Sequence, residues 1–534
     1  MSADTSASGD ARGLALLAET WSVESFAFAP TKAGDVLRRL HALPEPSKCY
    51  KFIQDYQRFD DRHPTEEHLD GLYQGGLPQA LMDIALDRRL YKNFQDFHTG
   101  EYLLSIYSAL TGFIYHAVTE PCTKPSHRGG SHAPWAKYVL EKLPQLWTAL
   151  MEYPHLIRLD GRGNLRSDGE EDDLRGHVID LLVSQINLSK AEGVPPPKLL
   201  ESDASYVVYL CWLTCKSKVY LANLDNVVWG SYWDTSMPPD FILWVTRAMA
   251  RKTLVPAEFF DRVNAKLLSD SVTDTKLFWL LNHLWRLCMN TQLKAHRGRD
   301  PMLALNVMRA CQRQVCSGED SWQWMILRQT FANVRDMLSK DRATQMQLGR
   351  AREFTHTIIL LVARAVTIAA TKTDRHELDV LEGMVRFFIE GAETLNELDE
   401  ADAAAGGVRG PSEHADFRAA VRQVWHKTHD DLRALPPTAR FRGVVLEWWV
   451  ECGTNCGVDV AAEAARGAEG EGAAKERKRW RKKHGCAWSE CLCFGERPYH
   501  KLRLCTRCKK VMYCSVKCQT RDWKQGGHKQ SCGT

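Results

Sequence analysis

Apolar positions along most of this chain recur at helical, not strand, spacing. Leu174, Val178, Leu181, Leu182 and Gln185/Ile186 follow one another at 3.6-residue intervals behind the acidic run Glu170–Asp173, which suits a helix N-terminus. Leu378, Leu381, Val385 and Phe388 repeat the pattern after His376-Glu377. Amphipathic stretches recur near 79–115, 135–152, 203–222, 239–250, 275–290, 301–315, 321–338, 415–434 and 441–450. Period-2 alternation bounded by turn residues is almost wanting. The periodicity therefore predicts an all-α body. Its breaks fall at short polar or Pro/Gly-containing turns such as Pro121–Pro134, Gly161–Gly169, Gly193–Pro197 and His296–Pro301.

So many short-linked helices exceed what one bundle core holds, so the expected architecture is an extended, armadillo/HEAT-like array of stacked helices, without a fixed sequence period. The expected organisation is a flexible leader over 1–30, a helical body over 31–453, a linker and basic helix over 454–484, and a small metal-bound module over 485–534. Leu14–Trp21 could dock on the body. The most apolar stretch, Thr357–Ala370, is too short to span a bilayer and carries Arg364 at its middle, so it reads as a buried central helix.

Composition adds two facts. The chain has 534 residues with 44% apolar content, enough for a real core, so wholesale disorder is excluded. The formal charge of +4 is uneven: from Lys475 onward there are 17 Lys/Arg against 4 Asp/Glu, which leaves the first 474 residues at −9. A basic tail on an acidic body can steer toward acidic proteins or nucleic acid. Lys475–Lys483, with seven basic residues around Trp480, could contact phosphates or act as a nuclear-import signal. Met1–Asp10 lacks the basic start and apolar follow-on of a secretory leader, and scattered cysteines such as Cys211, Cys288 and Cys311 suit a reducing compartment. The expected location is the cytoplasm, the nucleus or both.

The chemistry concentrates at the C-terminus. Eight of the 17 cysteines occur there, in the run C-x4-C-x-C-x11-C-x2-C-x5-C-x3-C-x9-H-x3-C starting at Cys486. Cys505 and Cys508 have the spacing of a zinc knuckle. Cys514/Cys518 and His528/Cys532 each lie one helical turn apart, so each pair can face one ion. Two tetrahedral Zn²⁺ sites need eight ligands, which seven cysteines and one histidine supply with one cysteine over.

This tail resembles the MYND-type zinc finger through Cys505-x2-Cys508, Tyr513-Cys514-Ser515, Cys518-Gln519, Trp523 and His528-x3-Cys532. The resemblance covers about 47 residues. It implies a cross-braced module in which Cys486, Cys491, Cys514 and Cys518 hold one structural zinc, and Cys505, Cys508, His528 and Cys532 hold the other. The first pair departs from the usual two- or three-residue spacing. It is read as Cys486/Cys491, with use of Cys493 the alternative. The resemblance further implies a protein-interaction surface, often for proline-containing peptides, with Ser515, Gln519 and Trp523 at the peptide-contacting positions. An adaptor role follows as the expectation, with a nucleic-acid-associated regulator as the second reading.

An enzyme is the third reading and is not expected. No P-loop, H-E-x-x-H or G-x-S-x-G occurs. Asn282-His283 lies within an apolar helical run and reads as core, while His426, His429 and Asp430 read as a solvated helix face. A tail independent of the body would lose its fold under chelation while the body kept its helix signal.

Overall fold

A computed structural model describes residues 13–532 apart from 63, 95–96, 124–132, 159–173, 194–201, 216, 230–237, 270–271, 298–300, 318–319, 339–351, 372–377, a scatter of positions between 380 and 412, 463–484, 489–490, 492 and 495–501. The acidic run Glu170–Asp173, the basic segment Lys475–Lys483 and Phe388 fall outside the described residues. Apart from two strands of two residues each, the regular structure among the described residues is helical. The chain divides into two compact units, Met1–Glu258 and Phe259–Thr534. This division cuts through the helical region, and the cysteine-rich tail belongs with the helices that follow Phe259.

In the first unit, helix α1 (Pro46–Asp60) and helix α3 (Leu174–Ala191) both pack on the 27-residue helix α2 (Phe97–Thr123). Helix α2 buries Leu103, Ile106, Tyr107, Leu110, Phe113 and Ile114, a three- and four-residue spacing that turns one broad face inward. Phe113 stacks on Tyr56 of α1 with ring centroids 5.0 Å apart. Trp21 docks through its ring on Phe26 and Phe52, while Leu16 in the turn before it stays exposed. The periodic stretch predicted over 203–222 is two helices, Ala204–Thr214 and Lys218–Trp229. The break falls at Cys215, whose extended backbone (ψ 135°) ends the first.

The second unit is built from α4 (Asp274–Leu287), α5 (Pro301–Ser317), α6 (Asp320–Leu338), α7 (Arg352–Ala369), α8 (Glu413–Ala434) and α9 (Arg442–Asn455). The Thr273 hydroxyl caps α4 by accepting from the Lys276 amide at 3.3 Å. Helix α4 packs on α6, α6 on α5, and α7 on α5 and α8. Helix α7 is the buried apolar helix, with Ile358–Ala363 almost inaccessible. Its one central charge is satisfied: the Arg364 guanidinium donates twice to Gln323 Oε1 of α6, at 3.1 and 2.9 Å. No helix among the described residues is long and apolar enough to cross a membrane.

Helices α8 and α9 are joined by a reciprocal pair. Trp425 Nε1 donates to the Trp449 carbonyl at 2.9 Å, and Trp449 Nε1 to the Trp425 carbonyl at 3.1 Å. Gly453 makes this approach possible, since a Cβ there would lie 2.2 Å from Trp425 Nε1. His429, expected on a solvated face, is instead buried and stacked on Trp425 at 4.6 Å, while Asp430 beside it is exposed.

Candidate metal centre

The tail folds around two short strands and two short helices: β1 (Arg503–Leu504), β2 (Met512–Tyr513), α10 (Val516–Lys524) and α11 (His528–Ser531). The strands pair antiparallel with Arg503 opposite Tyr513. On its other side β2 is met by the segment before it, where the Ala487 amide donates to the Met512 carbonyl at 2.8 Å. Ser515 starts α10 by accepting the Cys518 amide on its hydroxyl at 3.2 Å. Gly527, with φ at +79°, takes the left-handed conformation that turns the chain and lets α11 present His528 inward.

These turns bring the donors together in interleaved order. Cys505, Cys508, His528 and Cys532 have their donor atoms within 4.8 Å of one another, as do Cys486, Cys491 and Cys514. Cys518 Sγ lies 3.7 Å from Cys491 Sγ, as does Cys514 Sγ. In the other cluster, Cys505 and Cys532 sulfurs are 3.9 Å apart, and His528 Nε2 lies 3.4 Å from Cys505 Sγ and 3.7 Å from Cys508 Sγ. Disulfides need sulfurs about 2.05 Å apart, so these are not cystines. Four sulfurs at the usual ~2.3 Å from one centre would be about 3.8 Å apart, and a sulfur and an imidazole nitrogen about 3.6 Å. The measured edges match both values, so the donor set fits Zn²⁺.

Electrostatics within the clusters divides the thiols, driving Cys505 and Cys518 toward the thiolate and Cys486 and Cys532 away from it. Burial pushes the Cys505 thiol up, but the Cys508 backbone amide and the His528 ring outweigh it and hold the group down to about 6. Cys518 is driven down by its neighbours Cys486, Cys491 and Cys514, while Cys486 is driven up by Cys491. Both knuckles share one more device. The amide two residues beyond the second cysteine donates to that sulfur, Cys493 N–H to Cys491 at 3.4 Å and Lys510 N–H to Cys508 at 3.5 Å.

Cys493 is not among the grouped donors. Its thiol accepts from Gln312 Nε2 of α5 at 3.4 Å, and its carbonyl accepts the Cys486 amide at 2.9 Å. The tail is therefore seated on the helices of its own unit. Helix α10 packs on α5, and Cys491 and Phe494 border a small crevice with Leu360 and Arg364 of α7 and Lys427 and Asp431 of α8. Nothing in the sequence flagged Gln312, which stands 181 positions before its partner. A second contact was half-legible. Asp522 follows Cys518 by four residues, so it shares the inward face of α10, and it accepts the Tyr513 hydroxyl at 2.7 Å in the buried centre.

Ser515, Gln519 and Trp523 all lie on or at the start of α10, and the polar groups of Ser515 and Gln519 have partners within the tail. Ser515 is the helix cap, and Gln519 donates its amide to Cys505 Sγ at 3.8 Å. Trp523 is half-buried, packs edge-on against His528 at 6.0 Å, and carries the Arg507 guanidinium over its ring at 5.9 Å. Among the other candidates, His283 is buried in α4 with Nδ1 3.2 Å from the Trp279 carbonyl, and burial holds its ring down to about 3. A histidine so placed is a neutral core residue.

Interleaved four-donor clusters of cysteine and histidine on a minimal core define a cross-braced zinc finger. The family model of the MYND finger matches residues 486–532, and this segment of the chain is a MYND finger. The chain matches no curated protein and no solved structure.

Proposed function

We propose that the chain is an adaptor, a helical scaffold whose MYND finger holds two structural zinc ions and binds short peptide segments of partner proteins. Cys486, Cys491, Cys514 and Cys518 would hold one ion, and Cys505, Cys508, His528 and Cys532 the other. With four protein donors around each, no position is left for a reacting water, which argues for structural and against catalytic metal. The ions would supply folding free energy to a module too small to bury a sufficient core; related peptides gain roughly 10–16 kcal/mol from zinc. MYND modules generally mediate protein–protein interactions. The observation that carries the reading is Trp523, half-buried against the finger's core beside His528, with part of its ring left open next to the exposed Val516. An aromatic edge beside the Gln519 amide suits an extended, proline-containing peptide. Such an adaptor would work in the cytoplasm, the nucleus or both.

Elemental analysis of the purified, tag-free, full-length chain tests the metal half. Two zinc ions per chain are expected, falling to one in Cys486→Ser or Cys491→Ser and staying at two in Cys493→Ser. Loss at Cys493 with none at Cys486 would reverse the assignment. The peptide half predicts that Trp523→Ala, with its zinc intact, loses partner peptides that the unaltered chain retains.

A further inference from the structure

The finger carries an uneven charge. From Gly485 to Thr534 there are ten Lys/Arg and three Asp/Glu. One of those three acids, Asp522, is buried and already taken by Tyr513. Even with two filled cages, whose thiolates outnumber the metal charge by three, the module would stay about four charges positive.

The arrangement is ordered. Val516, Gln519 and Trp523 follow at three- and four-residue spacing along one face of α10. Val516 is 59% exposed, an apolar side chain left open at the start of that stripe. Lys517 and Lys524, seven residues apart, run along one flank and are both exposed. Arg507 approaches from the knuckle loop and lies over the Trp523 ring. Arg507, Lys517 and Lys524 make no ion pair with any described residue. An apolar and amide stripe flanked by three cations that have no ion partner among the described residues fits a ligand that is apolar at its centre and anionic at its edges.

We infer that the peptide-binding face of the finger selects acidic peptides, with one or more apolar residues seated along Val516, Gln519 and Trp523 and carboxylates meeting Arg507, Lys517 and Lys524. The inference rests on the proposed peptide-binding function and narrows its ligand class. The open apolar stripe favours a peptide over nucleic acid. A phosphate backbone would use the three cations but leave Val516 bare, and the patch offers one aromatic where a single-strand binder presents several for successive bases. Exposed ion pairs of this kind act mainly on selectivity and encounter rate, and they weaken with salt.

Fluorescence anisotropy with the zinc-loaded, full-length chain tests the inference. The probes are two labelled peptides sharing a core of two prolines and two leucines, flanked by four glutamates in one and four glutamines in the other. The glutamate peptide is expected to bind roughly ten-fold tighter at low salt, with most of that advantage gone at 0.5 M salt. In the double variant Lys517→Glu/Lys524→Glu, confirmed by unchanged zinc content, the preference for the glutamate over the glutamine peptide is expected to vanish, whatever the affinity for either; a preference that persists would overturn the inference. Equal binding of the two peptides by the unaltered chain overturns the acidic selectivity and leaves peptide binding standing. Failure of both peptides to bind removes the peptide-binding reading, and the selectivity falls with it. Tighter binding of a random-sequence single-stranded 20-mer DNA, displacing the glutamate peptide, would overturn the inference in favour of a phosphate site.

Discussion

Two histidines show how one residue type takes its chemistry from its surroundings. His528 sits among thiols, grouped with three cysteines as a candidate metal donor, whereas His283 is walled in by α4 and its neighbours and held neutral. The second case has a pH consequence. The folded ring titrates near 3 and the unfolded ring near 6.5, so below about 6.5 the unfolded chain binds a proton that the folded one refuses. Stability therefore falls as pH drops from 6.5 toward 3, by about 2 kcal/mol at pH 5 from this group alone. Denaturant titrations at pH 7 and pH 5 should show that loss, and His283→Leu should remove most of it. An equal loss in the variant would mean that other groups carry the acid sensitivity. Cys493 makes the complementary point. Its type suggests a ligand, yet its amide serves Cys491, its carbonyl serves Cys486, and its sulfur serves Gln312.

At the scale of elements, the periodic stretches carried most of the information. The helices Pro238–Ala250, Asp274–Leu287, Pro301–Ser317 and Glu413–Ala434 begin and end close to where apolar spacing places them. In the finger, the one-turn spacings Cys514/Cys518 and His528/Cys532 pointed to α10 and α11. What stayed hidden depends on partners distant in sequence. The burial of His429 needs Trp425 pinned by Trp449, and the split after Thr214 needs an extended Cys215 that local hydropathy does not mark. The α8–α9 crossing yields a direct test, since Gly453→Ala forces a methyl group into the Trp425 indole. A loss of about 1–3 kcal/mol is expected from such overpacking. Thermal unfolding followed by tryptophan fluorescence checks it; an unchanged midpoint would show that α9 can shift to make room.

For the second unit taken whole, the finger belongs to the wall of the helical assembly. Helix α10 lies on α5, Gln312 reaches Cys493, and Phe494 lines a crevice with α7 and α8. The expectation that chelation spares the helices changes accordingly. Stripping metal from the full-length chain should lower the melting temperature of the second unit's helix signal by a few degrees, in keeping with a kcal/mol or two of lost docking in a domain of this size. Identical helix melting with and without chelator would show that the docking contributes no stability. The same seating bears on anyone who would cut the molecule for convenience. A peptide severed at residue 484 would carry an inner face of Cys493 and Phe494 that the intact polymer never shows to water. Such an excised tail would be sticky, would crosslink through its odd thiol in air, and would report associations that belong to the knife.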